Sequence, residues 1–230
     1  MKLLLGNKIK GLVLVGLLAL VSSCKNQVKK ETVEVVETSR VEYLPYYNDE
    51  SFTPHWLVPN SIEEKNFHKI PDFKLVDQLG DTVSQKTFDD KIYIADFFFT
   101  TCPGICLKMT GNMVQVQEAF KDDPEVLLLS HSVTPSIDSV SVLKNYAEKN
   151  GVLDNKWHLV TGDKTEIYNL GRNQYFVEND LGVPKDINDF LHTENFLLVD
   201  KNKHIRGIYN GLNRASIAQL ITDIKALKLE

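Results

Sequence analysis

Two thiols stand with three residues between them in Cys102-Pro103-Gly104-Ile105-Cys106, and the chain's third cysteine, Cys24, is far from both in sequence. Positions i and i+4 lie one turn apart on a helix, so if a helix begins at Pro103 both sulfurs face one side. Such a pair can close a disulfide or grip one metal ion. A helix N-terminus adds unpaired N–H groups and a partial positive charge, which favour thiolate over thiol and so favour both exchange and ligation. A purely stabilising disulfide is the weaker reading, because so short a loop removes little entropy from the unfolded chain. A thiol peroxidase fits poorly too, since it needs one isolated low-pKa cysteine and here two share a loop.

The elements that must position this pair alternate. Residues 92–99 are a continuous β-branched and aromatic run, as expected of a strand buried on both faces at the sheet's centre, and it ends where the cysteine loop begins. Open sheets place ligands at that end of a strand. Residues 107–121 carry apolar side chains at helical spacing (Met109, Met113, Val116, Phe120) before Asp122-Asp123-Pro124 stops the helix. Upstream, 72–76 alternates apolar and polar and 78–81 has turn chemistry, predicting an early strand pair. Downstream, 126–129 reads as a second buried strand. Thr134-Pro135 reads as the N-cap and first turn of a helix closing at Asn150-Gly151, 157–160 as a strand, and Asp163 as the cap of a helix with Glu166 three residues on. A hairpin over 196–199 and 205–209 around Lys201-Asn202-Lys203 and an amphipathic helix over 215–227 complete the order. The fold class is α/β: a central mixed sheet with parallel core strands, flanking helices and a C-terminal antiparallel hairpin.

With 230 residues, 43% of them hydrophobic, there is enough apolar material for one well-buried domain. The net charge of −5, with basic and acidic residues interleaved, excludes a phosphate-neutralising basic stripe, so nucleic acid is not an expected partner. At the N-terminus Lys2, Lys8 and Lys10 precede an apolar run over 11–21, too short for a comfortable spanning helix, and Val21-Ser22-Ser23-Cys24 resembles a bacterial lipobox. The expected organisation is a lipoprotein signal peptide over 1–23, a lipid-anchored flexible tether over 24–50 beginning at lipidated Cys24, and a domain over 51–230. An uncleaved N-terminal anchor is the alternative. Either way the domain sits outside the cytoplasm, held to a membrane of the bacterial cell envelope.

The run Phe97-Phe98-Phe99-Thr100-Thr101-Cys102-Pro103-Gly104-Ile105-Cys106 resembles the signature of the Sco/SenC family, thioredoxin-like, membrane-tethered copper proteins that serve cytochrome c oxidase assembly. Ser132-Val133-Thr134-Pro135 with Asp138-Ser139 resembles its second motif, and 157–162 its next strand and turn. The resemblance runs from about residue 66 to the end. It implies a thioredoxin-like fold, copper as the bound metal, Cys102 and Cys106 as two ligands, and His192, in Asp189-Phe190-Leu191-His192-Thr193, as the third. It also implies a metallochaperone whose partner is the apo copper site of an oxidase subunit. The sequence departs from the family at two positions, where Gly104 and Leu191 stand in place of common acidic residues. Those departures bear on metal preference, partner docking and thiol pKa.

Two thiolates and one imidazole form a soft set that suits Cu(I), whereas zinc would usually want a fourth ligand. Among the six histidines, His192 alone falls on a loop leading into a strand expected beside the cysteine strand. His131, at the end of the second buried strand, is a candidate for an outer contact to the site; His55, His68, His158 and His204 read as ordinary. Met109 and Met113 read as core and not as thioether donors. The rival function is a thiol-disulfide oxidoreductase using Cys102 and Cys106 on a partner's cysteines without holding copper. His192 separates the two, since a dithiol reductase has no use for it.

Overall fold

The structure, a computed structural model, describes residues 43–178 and 190–230. The signal segment, Cys24, the tether up to residue 42 and Asp189 lie outside the described residues. The frame is a seven-stranded sheet of β1 (Lys74–Asp77), β2 (Thr82–Ser84), β3 (Ile92–Phe98), β4 (Val126–Ser132), β5 (Trp157–Thr161), β6 (Asn195–Val199) and β7 (Ile205–Asn210), in the order β2-β1-β5-β4-β3-β6-β7. Strands β3, β4 and β5 run parallel, and the antiparallel pairs β1/β2 and β6/β7 flank them, as the alternating pattern predicts. The middle place belongs to β4, with β3 beside it. Every residue of both strands is buried, so burial alone could not tell the sequence which was central.

Around the sheet lie α1 (Ile62–Lys65), α2 (Ile105–Phe120), α3 (Val140–Asn150), α4 (Lys164–Asn169) and α5 (Arg214–Leu227). Because successive strand residues face opposite ways, Ile92, Ile94 and Phe98 join Met109, Met113, Val116, Leu143, Leu220 and Ile224 in one core. Tyr93, Ala95 and Phe97 join Ile167, Tyr168, Tyr175 and Leu191 in the other. Both methionines are therefore core residues, as their helical spacing implied.

Helix α3 begins later than expected. Its N-cap is Ser139, whose hydroxyl accepts from the Val142 N–H, and it closes at Gly151 in the left-handed conformation. Thr134-Pro135 instead opens a turn in which the Thr134 carbonyl accepts from the N–H groups of Ile137 and Asp138. The buried Asp138 side chain holds that turn in place, for reasons that belong to the site.

Residues 43–50, read from the sequence as the end of a tether, are packed on the domain. Leu44 and Tyr46 are buried, Tyr46 bridges His55, and the Tyr47 N–H donates to the Ile205 carbonyl at 3.1 Å on β7. Arg206 secures this strap: its guanidinium lies 4.0 Å from the Tyr46 ring centre and donates to the carbonyls of Leu44 (2.7 Å) and Pro45 (3.2 Å), while Asp200 and Glu230 take its charge. A domain cut to start at residue 51 would lose two buried apolar side chains, each contributing about 1.5–3 kcal/mol, and leave Arg206 short of acceptors. We expect it to unfold at least ~3 kcal/mol more easily than one starting at residue 43, read from denaturant midpoints. Equal midpoints would put the boundary back at residue 50.

Candidate functional site

Strand β3 delivers the chain to the site. Beyond Phe98, the Cys102 N–H reaches back to the Phe99 carbonyl at 3.4 Å, turning the loop before α2 begins at Ile105. Helix α2 thus starts two residues after Pro103 and two before the periodic run over 107–121, and Cys102 lies ahead of it while Cys106 sits in its first turn. Its N-cap is Gly104, which has no side chain to satisfy the open N–H groups. The Cys102 sulfur does so instead. Burial works against its ionisation, but the Cys106 thiol and the backbone N–H groups of Gly104, Cys106 and Ile105 donate to it and carry its pKa below the ordinary value.

Cys106 is the opposite case. Burial pushes its thiol up to about 12, and the hydrogen bond it gives to Cys102 adds to the rise. The helix terminus therefore favours thiolate at Cys102 alone, correcting the expectation that both sulfurs would be activated. The pair is close enough to hydrogen-bond, and both are free thiols in this structure. Beneath the pair lies Asp96, buried on the same face of β3 and accepting from Ser130, whose hydroxyl also takes the Trp157 indole N–H at 2.8 Å. Burial raises the Asp96 carboxyl to about 7.

The loop is braced by a residue to which the sequence assigned no role. Asp138, fully buried, accepts from Thr100 Oγ1 (2.5 Å), Ser132 Oγ (2.6 Å), Thr134 Oγ1 (2.9 Å) and the Thr100 N–H (3.3 Å). One carboxylate thereby ties the end of β3, the end of β4 and the following turn together, two residues before Cys102. The cluster of Ser and Thr around one Asp was visible in the sequence, but only the parallel register of Phe98 with Ser132 puts Thr100 within its reach.

His192 lies at the same end of the molecule. Phe190 packs edge-on against Phe99 with ring centres 5.2 Å apart, and the His192 ring stacks beside Phe190 at 6.5 Å. The imidazole is 70% exposed. Among the described residues no three His, Cys, Asp or Glu side chains converge as a metal site, so this structure places His192 near the cysteine loop without bringing it to the sulfurs. Leu191, one of the departures from the family pattern, is fully buried in the second core. Gly104, the other, has open space where a Cβ would stand.

His131 does not approach the site. It faces the second core, stacked on Phe97 at 4.6 Å, and burial lowers it to about 4, so the ring is neutral. Alternation along β4 explains this: Ser130 and Ser132 face α2 and Asp138, and His131 between them must point the other way. Of the remaining histidines, His158 pairs with Asp77 and the buried His204 with Glu64.

An α/β domain with a dithiol at the C-terminal end of an inner parallel strand, one sulfur offered at an open helix terminus and the other buried behind it, defines a thioredoxin-like dithiol protein. Within that class the chain belongs to the SCO1/SenC family, whose model matches residues 62–228. A SCO1/SenC family lipoprotein of Bacillus anthracis is 26% identical, with a TM-score of 0.62 over 75% of this chain and 99% of that one. BsSco, known for a disulfide switch and as a member of the Sco family of cytochrome c oxidase assembly proteins, is 28% identical, with a TM-score of 0.59 over 71% of this chain and 95% of its own. Bradyrhizobium japonicum ScoI, solved with copper bound, is 27% identical, with a TM-score of 0.54 over 68% of this chain and 98% of its own.

Proposed function

We propose that the protein is a copper-binding metallochaperone of the bacterial cell envelope that holds copper through Cys102, Cys106 and His192 and passes it to the apo copper site of a cytochrome oxidase subunit, with lipid on Cys24 as its membrane anchor. The observation that carries the reading is the pair of sulfurs in mutual contact at the mouth of α2, with the His192 loop packed beside them through Phe190 and Phe99. Copper is the cargo. The two sulfurs, once deprotonated, supply soft donors that suit Cu(I), and an imidazole nitrogen extends the set to Cu(II). His192 stands apart from the sulfurs here, so binding by all three donors requires its loop to close toward them. An exposed third donor that can swing away is compatible with handing the ion on.

The test is copper uptake by reduced protein in competition titrations. Wild type should bind one copper ion, and Cys102→Ser or Cys106→Ser should lose it. His192→Ala should weaken Cu(II) more than Cu(I), which two thiolates still hold. If His192→Ala and wild type bind Cu(I) and Cu(II) equally while Cys102→Ser loses thiol exchange, the chaperone reading falls.

A second reading has its own support in the asymmetry of the two thiols. Cys102, accessible and readily ionised, is suited to attack a partner's disulfide. Cys106, buried behind it, is suited to displace the partner from the mixed disulfide. The balance is two electrons: the partner leaves as a dithiol and this chain keeps the Cys102–Cys106 disulfide. Such a reductase needs no His192.

A further inference from the structure

Directly after the strap, residues 51–62 hold no Asp, Glu, Lys or Arg, although 25% of the whole chain is charged, and the run ends where the match to the family begins. None of the twelve is buried. Single exposed apolar side chains are ordinary on a soluble domain, but an uncharged run without one buried member serves no core. Phe52 turns inward and packs against the second core. Trp56 (64% exposed), Val58 (69%) and Ile62 (78%) are displayed to the outside within seven residues. The display is held at both ends. His55 exchanges backbone hydrogen bonds of 2.9 and 2.8 Å with Tyr46 of the strap, and just beyond Ile62 the buried Glu64 lies 2.9 Å from His204 Nε2. Pro54 and Pro59 restrict the backbone between, so showing these side chains costs little further order.

The run belongs to the end of the sheet away from the cysteines. Tyr47 pairs with Ile205, Ile205 lies opposite Val199, and Val199 lies opposite Tyr93 near the start of β3. Strand β3 then runs about 20 Å from Ile92 to Phe98 before the cysteine loop begins. The chain also enters the domain on this side, and an anchor at Cys24 keeps Tyr43 within about 65 Å of a bilayer even with the nineteen steps between them fully extended. From this we propose that residues 51–62 form a foot that rests on the membrane bearing the chain, with Trp56, Val58 and Ile62 at the boundary between headgroups and acyl chains, and that it holds Cys102 on the side turned away from the lipid. The inference rests on the membrane attachment proposed above. An indole suits that boundary, being apolar with one N–H donor. Hydrocarbon does not accommodate irregular backbone, so only the side chains enter. With no Lys or Arg in the run, apolar contact and not attraction to anionic lipid drives the docking. A partner receiving copper would then meet the cysteines roughly 20 Å or more above the lipid surface.

The chain's two tryptophans make the test, because Trp56 is exposed and Trp157 is 1% exposed in the first core. The lipidated full chain is reconstituted in phosphatidylcholine vesicles with and without brominated acyl chains, which quench only the fluorophores they approach closely. Trp56 emission should shift to the blue and be quenched, and Trp157 should be untouched, so Trp56→Phe should abolish the quenching. Val58→Asn together with Ile62→Asn removes two exposed apolar groups, leaves Tm unchanged, keeps the reporter and should cut the quenching at least about twofold. An unquenched Trp56 overturns the proposal, as it would if the run met another protein instead. Quenching that survives the double substitution undiminished overturns it too, since the anchor alone would account for it. So does quenching of Trp157, which would mean that the domain had opened on the lipid. If mass spectrometry finds Cys24 unmodified, the lipid reading fails, and the full chain held in the same vesicles by residues 11–21 still judges the foot by the quenching of Trp56.

Discussion

Brief treatment of the reduced, metal-free protein with iodoacetamide at neutral pH should add one label, on Cys102, and leave Cys106 bare. Alkylation proceeds through the thiolate, so each cysteine reacts in proportion to its ionised fraction and its access. With burial pushing its thiol up to about 12, Cys106 is almost wholly protonated at pH 7, and it is shielded from solvent besides. Cys102 moves the other way, ionising more readily than an ordinary thiol because the helix N–H groups and the Cys106 thiol donate to it. Strong selectivity for Cys102 follows from these two directions, and the burial of Cys106 adds to it. Mass spectrometry of peptides after a timed quench reads it directly. Comparable labelling of the two cysteines would contradict the asymmetry, and with it the division into attacking and resolving thiols. Bound copper should block the label on Cys102 in the chaperone reading, and an internal disulfide should block it in either.

Replacing Asp138 with alanine should cost about 3–5 kcal/mol, because three hydroxyls and one N–H would lose their shared acceptor, the Ser132 hydroxyl in a fully buried place and the Thr100 and Thr134 groups in half-buried ones. In a domain of this size that corresponds to a fall in Tm of about 10 °C. Asp138→Asn keeps one acceptor oxygen, and the surrounding hydroxyls can rotate to accept from its amide, so its cost should be roughly half. Both variants should also alter the rate at which Cys102 is labelled, since Thr100 loses its anchor two residues upstream. A Tm within about 2 °C of wild type for Asp138→Ala would show that the loop is held by other means.

What the sequence disclosed, and what it hid, follows from the range of the interactions concerned. The buried β3 run, the thiol spacing and the periodicity of α2 are local patterns, and each was legible. The start of α3 is not legible locally, because Thr134-Pro135 and Ser139 both match a helix opening. The deciding partner, the Asp138 carboxylate, draws that turn toward Thr100, which only the β3/β4 register brings near. His131 stands near the site end of its strand but alternates with Ser130 and Ser132, so its ring faces the second core. Leu44 and Tyr46 looked like tether because their burial depends on Arg206, some 160 residues distant in the chain.

A sheet that does not close on itself leaves two margins whose free N–H and C=O groups can zip onto a neighbouring molecule. One margin here is β2, three residues long and too brief to template anything. The other is β7, longer and more inviting, and Tyr47 of the strap occupies its flank at Ile205. The strap that Arg206 secures therefore closes this margin where β7 begins, at Ile205. With it stripped away, the start of β7 would offer unpaired backbone groups at that margin, so the shortened domain should lose solubility faster than the longer one as its concentration rises.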